Sequence, residues 1–155
     1  MGRFGWRTNR SLRTCLLGGI LATLLACNFP TYEERVSQML TIEFPIDTLR
    51  HYRYVVLIPG AGCNGCITEA ENFFVTHACD SSTLFIFTRV SSVKNLWIKM
   101  GREKFSLPNV YIDKNSKFYF PEYDKCIYPC LIYLKEGRPE RFANLDERMI
   151  RVDDK

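Results

Sequence analysis

Two cysteines separated by two residues are the feature that most limits the fold of this chain, because they lie between a predicted strand and a predicted helix. The segment IPGAGCNGCITEAENFF places Cys63 and Cys66 after an apolar run. That run, YVVLIPG at residues 54–60, is rich in β-branched residues and ends at Pro-Gly, which predicts a fully buried central strand. The apolar residues that follow recur at helical spacing, namely Cys66, Ile67, Ala70, Phe73, Phe74 and Ala78. The spacing of the two cysteines alone leaves three uses open: a redox dithiol, half of a metal site, or a structural disulfide.

The N-terminal segment predicts export from the cytoplasm. Residues 1–14 carry four arginines and no acid, and the next thirteen residues, 15–27, carry no charge. A basic stretch before a short apolar core is typical of a bacterial secretory signal, whereas a bilayer span needs about 20 apolar residues. The core ends in LLAC, which resembles the lipobox of bacterial lipoproteins and implies that the chain is cut before Cys27 and lipidated there. A signal anchor and an ordinary cleavage site are the alternatives.

The predicted domain organisation follows from this signal. Residues 1–26 are expected to be a lipoprotein signal peptide, residues 27–31 a lipidated tether, and residues 32–155 one folded domain. Asn28 is not the aspartate that retains lipoproteins at the inner membrane in the best-known sorting rule. The protein is therefore expected to be lipid-anchored in the cell envelope, on the periplasmic side or surface of the outer membrane rather than at the inner membrane.

The charge of the exported part argues against a nucleic-acid partner. The whole chain has a formal net charge of +4, and the four arginines of the signal account for it. The mature part is then close to neutral and retains no basic patch that would attract a polyanion.

Export also changes what the cysteines are expected to do. Of the seven cysteines, Cys15 leaves with the signal and Cys27 takes the lipid. In an oxidising compartment the remaining ones favour disulfides or redox chemistry over zinc. These are Cys63, Cys66, Cys79, Cys126 and Cys130. Because five is odd, at least one is unpaired or engages another molecule.

Beyond the cysteines, the chain alternates between strand and helix patterns. TYEERVSQMLTI predicts a helix that begins after Thr31, with Glu34 completing a capping box. FPIDTLRHY, residues 44–52, predicts a loop. The later predictions, in chain order, are a strand at 83–90, a helix at 93–101, a strand within 109–120, strands at 131–135 and near 140–142, and a short terminal helix within 144–151. This order predicts an α/β domain with a mixed central sheet flanked by helices.

With these elements in place, the sequence resembles the thioredoxin fold, and most of all the exported, membrane-tethered TlpA-type thiol–disulfide oxidoreductases. YVVLIPGAGCNGC is similar to that family's buried strand and CxxC loop, and CIYPCLIYLKEGRPERF to its proline-led strand, glycine turn and last strand. The resemblance covers about residues 44–142. It implies that Pro129 is cis, packs beside the CxxC and forms a substrate groove with Tyr128. A trans bond at Pro129 would contradict the assignment.

The same resemblance implies what the protein acts on. Its partners are expected to be protein or small-molecule disulfides and thiols, together with the membrane through the N-terminal lipid. The chain is expected to act as a monomer, without a cofactor or a metal. Three positions depart from the family pattern: Gly62 replaces an aromatic residue, Asn64-Gly65 lacks the common proline, and Leu57 stands where a buried acid is usual.

The chemistry of exchange assigns a role to each cysteine of the pair. Cys63 lies just before a helix N-terminus, where the helix dipole favours a thiolate and lowers the thiol pKa. We expect Cys63 to be the nucleophile and Cys66, one turn along and less exposed, to resolve the mixed disulfide. The alternatives are a structural CxxC in a non-catalytic thioredoxin-like binding module, and a thiolate site for zinc or copper that would include Cys126 and Cys130.

The sequence leaves alternative roles open for two of the other cysteines. Cys130 directly follows Pro129 and is either a second redox thiol or a core residue. Cys126 either forms a disulfide with Cys130 or stays unpaired or exchanging. Cys79 is expected to be a buried, small apolar residue at the end of a helix.

Overall fold

A mixed five-stranded sheet organises residues 29–145, which are the part of the chain that the computed structural model describes. The predicted signal peptide, Cys27 and most of the predicted terminal helix lie outside the described residues. The helices are α1 (Tyr32–Glu43), α2 (Ile46–Leu49), α3 (Asn64–His77), α4 (Val93–Met100) and two 3₁₀ helices (Arg102–Ser106 and Asp124–Ile127). The strands are β1 (Tyr54–Pro59), β2 (Thr83–Thr88), β3 (Val110–Asp113), β4 (Cys130–Lys135) and β5 (Arg138–Asn144).

The strand order β3-β2-β1-β4-β5 places β1 at the centre of the sheet. Strands β1, β2 and β3 are parallel, whereas β4 runs antiparallel to β1, and β5 antiparallel to β4. All six residues of β1 and of β2 are buried, as their continuous apolar runs predict. The predicted α/β class with a mixed sheet flanked by helices is confirmed, and the arrangement is compatible with a thioredoxin-like fold.

Alternate residues of the central strands build a core on each face of the sheet. On one face, Val55 and Leu57 of β1 pack with buried residues of α1. On the other face, Val56 and Ile58 pack with Phe74 and other aromatic residues of α3 and β2. The end of β1 is thereby held between two cores, which positions the loop that follows it. Among the described helices, none is long and apolar enough to cross a membrane.

Local signals in the sequence set the ends of the helices. The capping box of α1 is present: the Thr31 N–H donates to Glu34 Oε2 at 2.7 Å, and the Glu34 N–H donates to Thr31 Oγ1 at 3.2 Å. Helix α4 ends at Gly101, whose φ of 93° suits glycine. The loop predicted at residues 44–52 is wrong in part, because α2 forms there. Its Leu49 is fully buried, so a tertiary contact stabilises a turn too short to be stable alone.

Candidate redox site

The two cysteines of the CxxC segment lie at the junction of β1 and α3. Cys63 is the N-cap of α3, and its carbonyl accepts a hydrogen bond from the Ile67 N–H at 2.9 Å. Cys66 lies in the first turn of the helix. The two are joined by a disulfide with a Cα–Cα distance of 5.4 Å, within the usual range. Both residues are partly buried, so the expected difference in their exposure stays a prediction.

A close backbone approach joins this loop to the segment before Pro129. The Cys63 N–H donates to the Ile127 carbonyl at 3.4 Å. Gly62 has a φ of 150°, and a Cβ added there would lie 2.3 Å from the same carbonyl oxygen. No side chain fits at this position, which is a physical reason for glycine where the resembling family has an aromatic residue.

A cavity of about 450 Å³ lies beside Cys66 of the disulfide. Cys66, but not Cys63, lines this cavity together with Tyr128 and Pro129, the two residues for which the family resemblance implied a substrate groove. Tyr128 is 45% exposed, so its ring is available to a bound molecule. We call this space the cysteine cavity. The fold therefore brings together three of the residues singled out from the sequence.

Three further residues line the cysteine cavity and were missed by sequence reasoning: Glu69, Asn144 and Leu145. Glu69 lies one turn after Cys66 on α3, so helical spacing could have placed it beside the cysteine. Asn144 arrives through the pairing of β4 with β5, where it is the partner of Cys130. No local pattern around Asn144 indicates that neighbour.

The peptide bond before Pro129 corrects one expectation. There is no cis peptide bond among residues 29–145, so Tyr128–Pro129 is trans. The preceding residues form the 3₁₀ helix Asp124–Ile127, and Tyr128 is extended, with φ −107° and ψ 140°. Extended backbone is favoured before a proline, and the trans bond is the more stable isomer. The feature that the TlpA-type resemblance required at this residue is therefore absent.

Cys126 and Cys130 are buried free thiols, not a disulfide. Both belong to the core on the α1 face, and Cys130 is the cross-strand partner of Leu57. Burial, with a smaller contribution from the Glu33 carboxylate, raises the pKa of the Cys130 thiol to about 12. A thiol held protonated is a poor nucleophile. Of the two alternatives drawn from the sequence, the core position fits Cys130 better than a second redox thiol.

This burial predicts very slow alkylation of Cys130. With a pKa near 12, its thiolate fraction at pH 8 is about a thousandfold below that of an ordinary thiol. We expect iodoacetamide to modify exposed Cys79 first, and the rate at Cys130 to rise about tenfold per pH unit while the fold persists. Peptide mapping by mass spectrometry would measure both rates. Equal rates in the native protein would contradict the assignment, whereas equal rates in urea are expected.

The burial expected for Cys79 is wrong, because this residue is exposed. Helix α3 ends at His77, and the buried residue that follows is Ala78. The chain then turns, so Cys79 points to solvent. An error of one residue in the predicted end of a helix is enough to interchange the buried position, here Ala78, with the exposed one, here Cys79.

Leu57 occupies the position at which the resembling family usually has a buried acid. Leu57 is only 2% exposed and packs in the apolar core on the α1 face. A buried carboxylate, Asp113, does lie at the same end of the sheet, where it accepts a hydrogen bond from Thr88 Oγ1 at 2.8 Å. Asp113 is on β3, however, and β2 separates it from β1. Glu69 is the carboxylate that lines the cysteine cavity.

Among residues 29–145, no group of three or more histidine, cysteine, aspartate or glutamate side chains is arranged to hold a metal ion. Comparisons of the chain with models of protein families, with curated proteins and with solved structures gave no match. The inference of function therefore starts from the geometry of the disulfide and the cysteine cavity.

Proposed function

We propose that this protein is a thiol–disulfide oxidoreductase that uses Cys63 and Cys66 on disulfides outside the cytoplasm. The observation that carries the proposal is a disulfide at the N-terminus of α3 whose Cys66 lines an open cavity shared with Tyr128 and Pro129. A disulfide that served only to staple a two-residue loop would stabilise the fold weakly and would not need a cavity beside it. The TlpA-type resemblance, which lacks its cis-proline here, is not required by this argument.

The proposed exchange has two steps. In the reduced protein, the Cys63 thiolate attacks a substrate disulfide, forms a mixed disulfide and releases one substrate sulfur as a thiolate. The Cys66 thiolate then attacks Cys63 Sγ, which restores the Cys63–Cys66 disulfide and releases the second substrate thiolate. Two electrons pass from the protein to the substrate, so another thiol must reduce the protein again. In the opposite direction, the protein disulfide oxidises a substrate dithiol.

The helix N-terminus supplies the activation that the first step needs. Cys63 caps α3, where the N–H groups of the first turn and the helix dipole stabilise an anion. The second step requires Cys66 to lose its proton. Leu57 can accept none, and the carboxylate proposed to receive the proton is that of Glu69, which lines the cysteine cavity together with Cys66.

A structural disulfide in a non-catalytic binding module is the competing function, and the apolar Leu57 favours it. The reduction potential of the pair separates the two. Structural disulfides in secreted proteins lie below about −300 mV, whereas exchanging ones lie above that value. We expect the soluble protein from Asn28 onward, equilibrated in dithiothreitol redox buffers, to give a potential above this limit. A lower potential, with reduction taking hours, would favour the structural role.

The proposal includes an N-terminal lipid anchor at Cys27. If the lipobox is used, Cys27→Ala should leave an uncut precursor without fatty acid. Labelling a bacterial culture with a radioactive or alkyne-tagged fatty acid would measure this. Cys15→Ala is the matched control, because it removes a cysteine from the same apolar core and should change neither cleavage nor labelling. Labelling that persists on Cys27→Ala would exclude the anchor and leave the proposed chemistry untouched.

A further inference from the structure

A second cavity of about 390 Å³ adjoins the cysteine cavity. The two share Tyr128, Pro129 and Asn144 and are otherwise lined by different residues. The second is bordered by Tyr32 and Glu33 of α1, whereas the cysteine cavity is bordered by α3. We call it the flanking cavity. A molecule that crosses the exposed Tyr128 side chain can therefore occupy both spaces at once.

Aromatic rings and neutral groups form much of the wall of the flanking cavity. Tyr32 and Phe142 contribute rings to it, and Cys130 contributes a buried thiol. The Tyr32 ring already makes edge-to-face contacts with Phe120 and Tyr123, at centroid distances of 6.4 and 6.0 Å. A further ring placed in the cavity would extend this group of aromatic contacts.

The charges at this cavity cancel one another. The ammonium of Lys125 binds the carboxylate of Glu33 at a solvent-exposed position, so the two opposite charges largely offset each other. This ion pair also connects the first turn of α1 to the 3₁₀ helix that leads to Tyr128. A neutral guest leaves the pair undisturbed, and the pair gives the cavity no net charge that would favour an anionic or a cationic guest.

We infer that the flanking cavity is a specificity subsite that binds a neutral aromatic side chain of a polypeptide substrate, close in sequence to the reacting cysteine. This inference rests on the proposed function, because the reacting cysteine would occupy the adjoining cysteine cavity. An extended chain advances about 3.3 Å per residue, so an aromatic residue two or three positions from the cysteine reaches the second space. A small disulfide without a neighbouring aromatic side chain would leave the flanking cavity unfilled. The substrate class is therefore a cysteine-containing polypeptide with a nearby aromatic residue.

Short peptides in which one cysteine carries a thionitrobenzoate group would test this subsite. The peptides differ only in having phenylalanine, alanine, aspartate or lysine two or three positions before or after the cysteine. We expect kcat/KM for the best phenylalanine peptide to exceed that of its alanine counterpart by about tenfold or more, as burial of a ring implies. Equal values for all peptides, or a preference for aspartate or lysine, would overturn the inference.

Two variants test whether the preference for the phenylalanine peptide arises in the flanking cavity. Phe142→Leu should reduce the ratio of kcat/KM for the phenylalanine peptide to kcat/KM for the alanine peptide to below about threefold, because the ring that would contact the guest is lost. Phe105→Leu is the matched control, because Phe105 packs in the core on the opposite face and should not alter the ratio. If Phe142→Leu does not fold, Glu33→Gln replaces it. This substitution removes the partner of Lys125, so kcat/KM for the aspartate peptide should rise. If kcat/KM for the aspartate peptide does not rise in Glu33→Gln, the inference is overturned.

Measuring peptide binding in the absence of disulfide exchange tests the subsite separately from the proposed function. The peptides are remade with serine in place of cysteine, and their dissociation constants are measured by calorimetry. Tighter binding of the phenylalanine peptide, with no exchange of any disulfide, would support the subsite and reject the oxidoreductase function. Exchange of all peptides at one rate, with equal binding, would support the function and reject the subsite.

Discussion

Cys66→Ala is expected to accumulate mixed disulfides between Cys63 and partner molecules, whereas Cys63→Ala should accumulate none. Without Cys66, attack on a substrate continues but the resolving step is lost. Without Cys63, the remaining thiol lies inside the first turn of α3 and is not the residue that caps it. Turnover should fall to the background rate in both variants. Non-reducing electrophoresis followed by mass spectrometry of cell-envelope fractions would detect the trapped species.

The control for this experiment is Cys79→Ala, which removes an exposed thiol that the proposed mechanism does not use. The variant should trap nothing and should exchange at the normal rate. A structural disulfide predicts a different pattern: neither Cys63→Ala nor Cys66→Ala traps a partner, and both lose the same small amount of stability. That pattern would assign the protein to the binding modules.

Gly62→Ala is expected to destabilise the fold by about 2–5 kcal/mol and to slow exchange. The new Cβ would lie 2.3 Å from the Ile127 carbonyl oxygen, at a φ of 150° that side chains rarely adopt. Strain at such a backbone position costs about 1–3 kcal/mol, and overpacking costs a similar amount. Because the CxxC loop and the segment before Pro129 must separate, the cysteine cavity should lose its shape as well. Urea unfolding and the exchange assay would measure the two effects.

Gly65→Ala is the matched control, three residues away and inside α3. A Cβ at Gly65 meets nothing within 4 Å. Alanine is favoured over glycine in a helix by about 1 kcal/mol, so this variant should be as stable as the natural protein or more stable. If Gly62→Ala unfolded at the same urea concentration as Gly65→Ala, the close contact with Ile127 would not exist in solution.

The local patterns of the sequence predicted most of the regular elements. The run at residues 54–60 became β1, and the helical spacing after the cysteines became α3. Thr31 and Glu34 predicted the start of α1 because both partners of a capping box lie within one turn of chain. Cys63 and Cys66 were identified for the same reason: the CxxC spacing and the strand-to-helix boundary are both local features.

Features that depend on distant contacts were predicted less well. Helix α2 forms because Leu49 is buried by the rest of the fold, and its four residues carry too weak a local signal. β4 places Cys130 beside Leu57 in a core, which argues against the redox role that its position after Pro129 suggested. The bond before Pro129 is trans and follows the 3₁₀ helix at residues 124–127, a helix that the sequence patterns did not predict.

The sequence by itself determined the class of fold and the chemical groups of the site, because hydrophobic periodicity, helix caps and the CxxC spacing act within a few residues. Only the tertiary structure decided which groups meet. Pairing of β1 with β4 and of β4 with β5 brings Tyr128, Pro129 and Asn144 to the end of the sheet near Cys66. The glycine at position 62 lets two distant segments touch. Contacts between residues far apart in the chain depend on the register and packing of the whole sheet, and no short stretch of sequence carries that information.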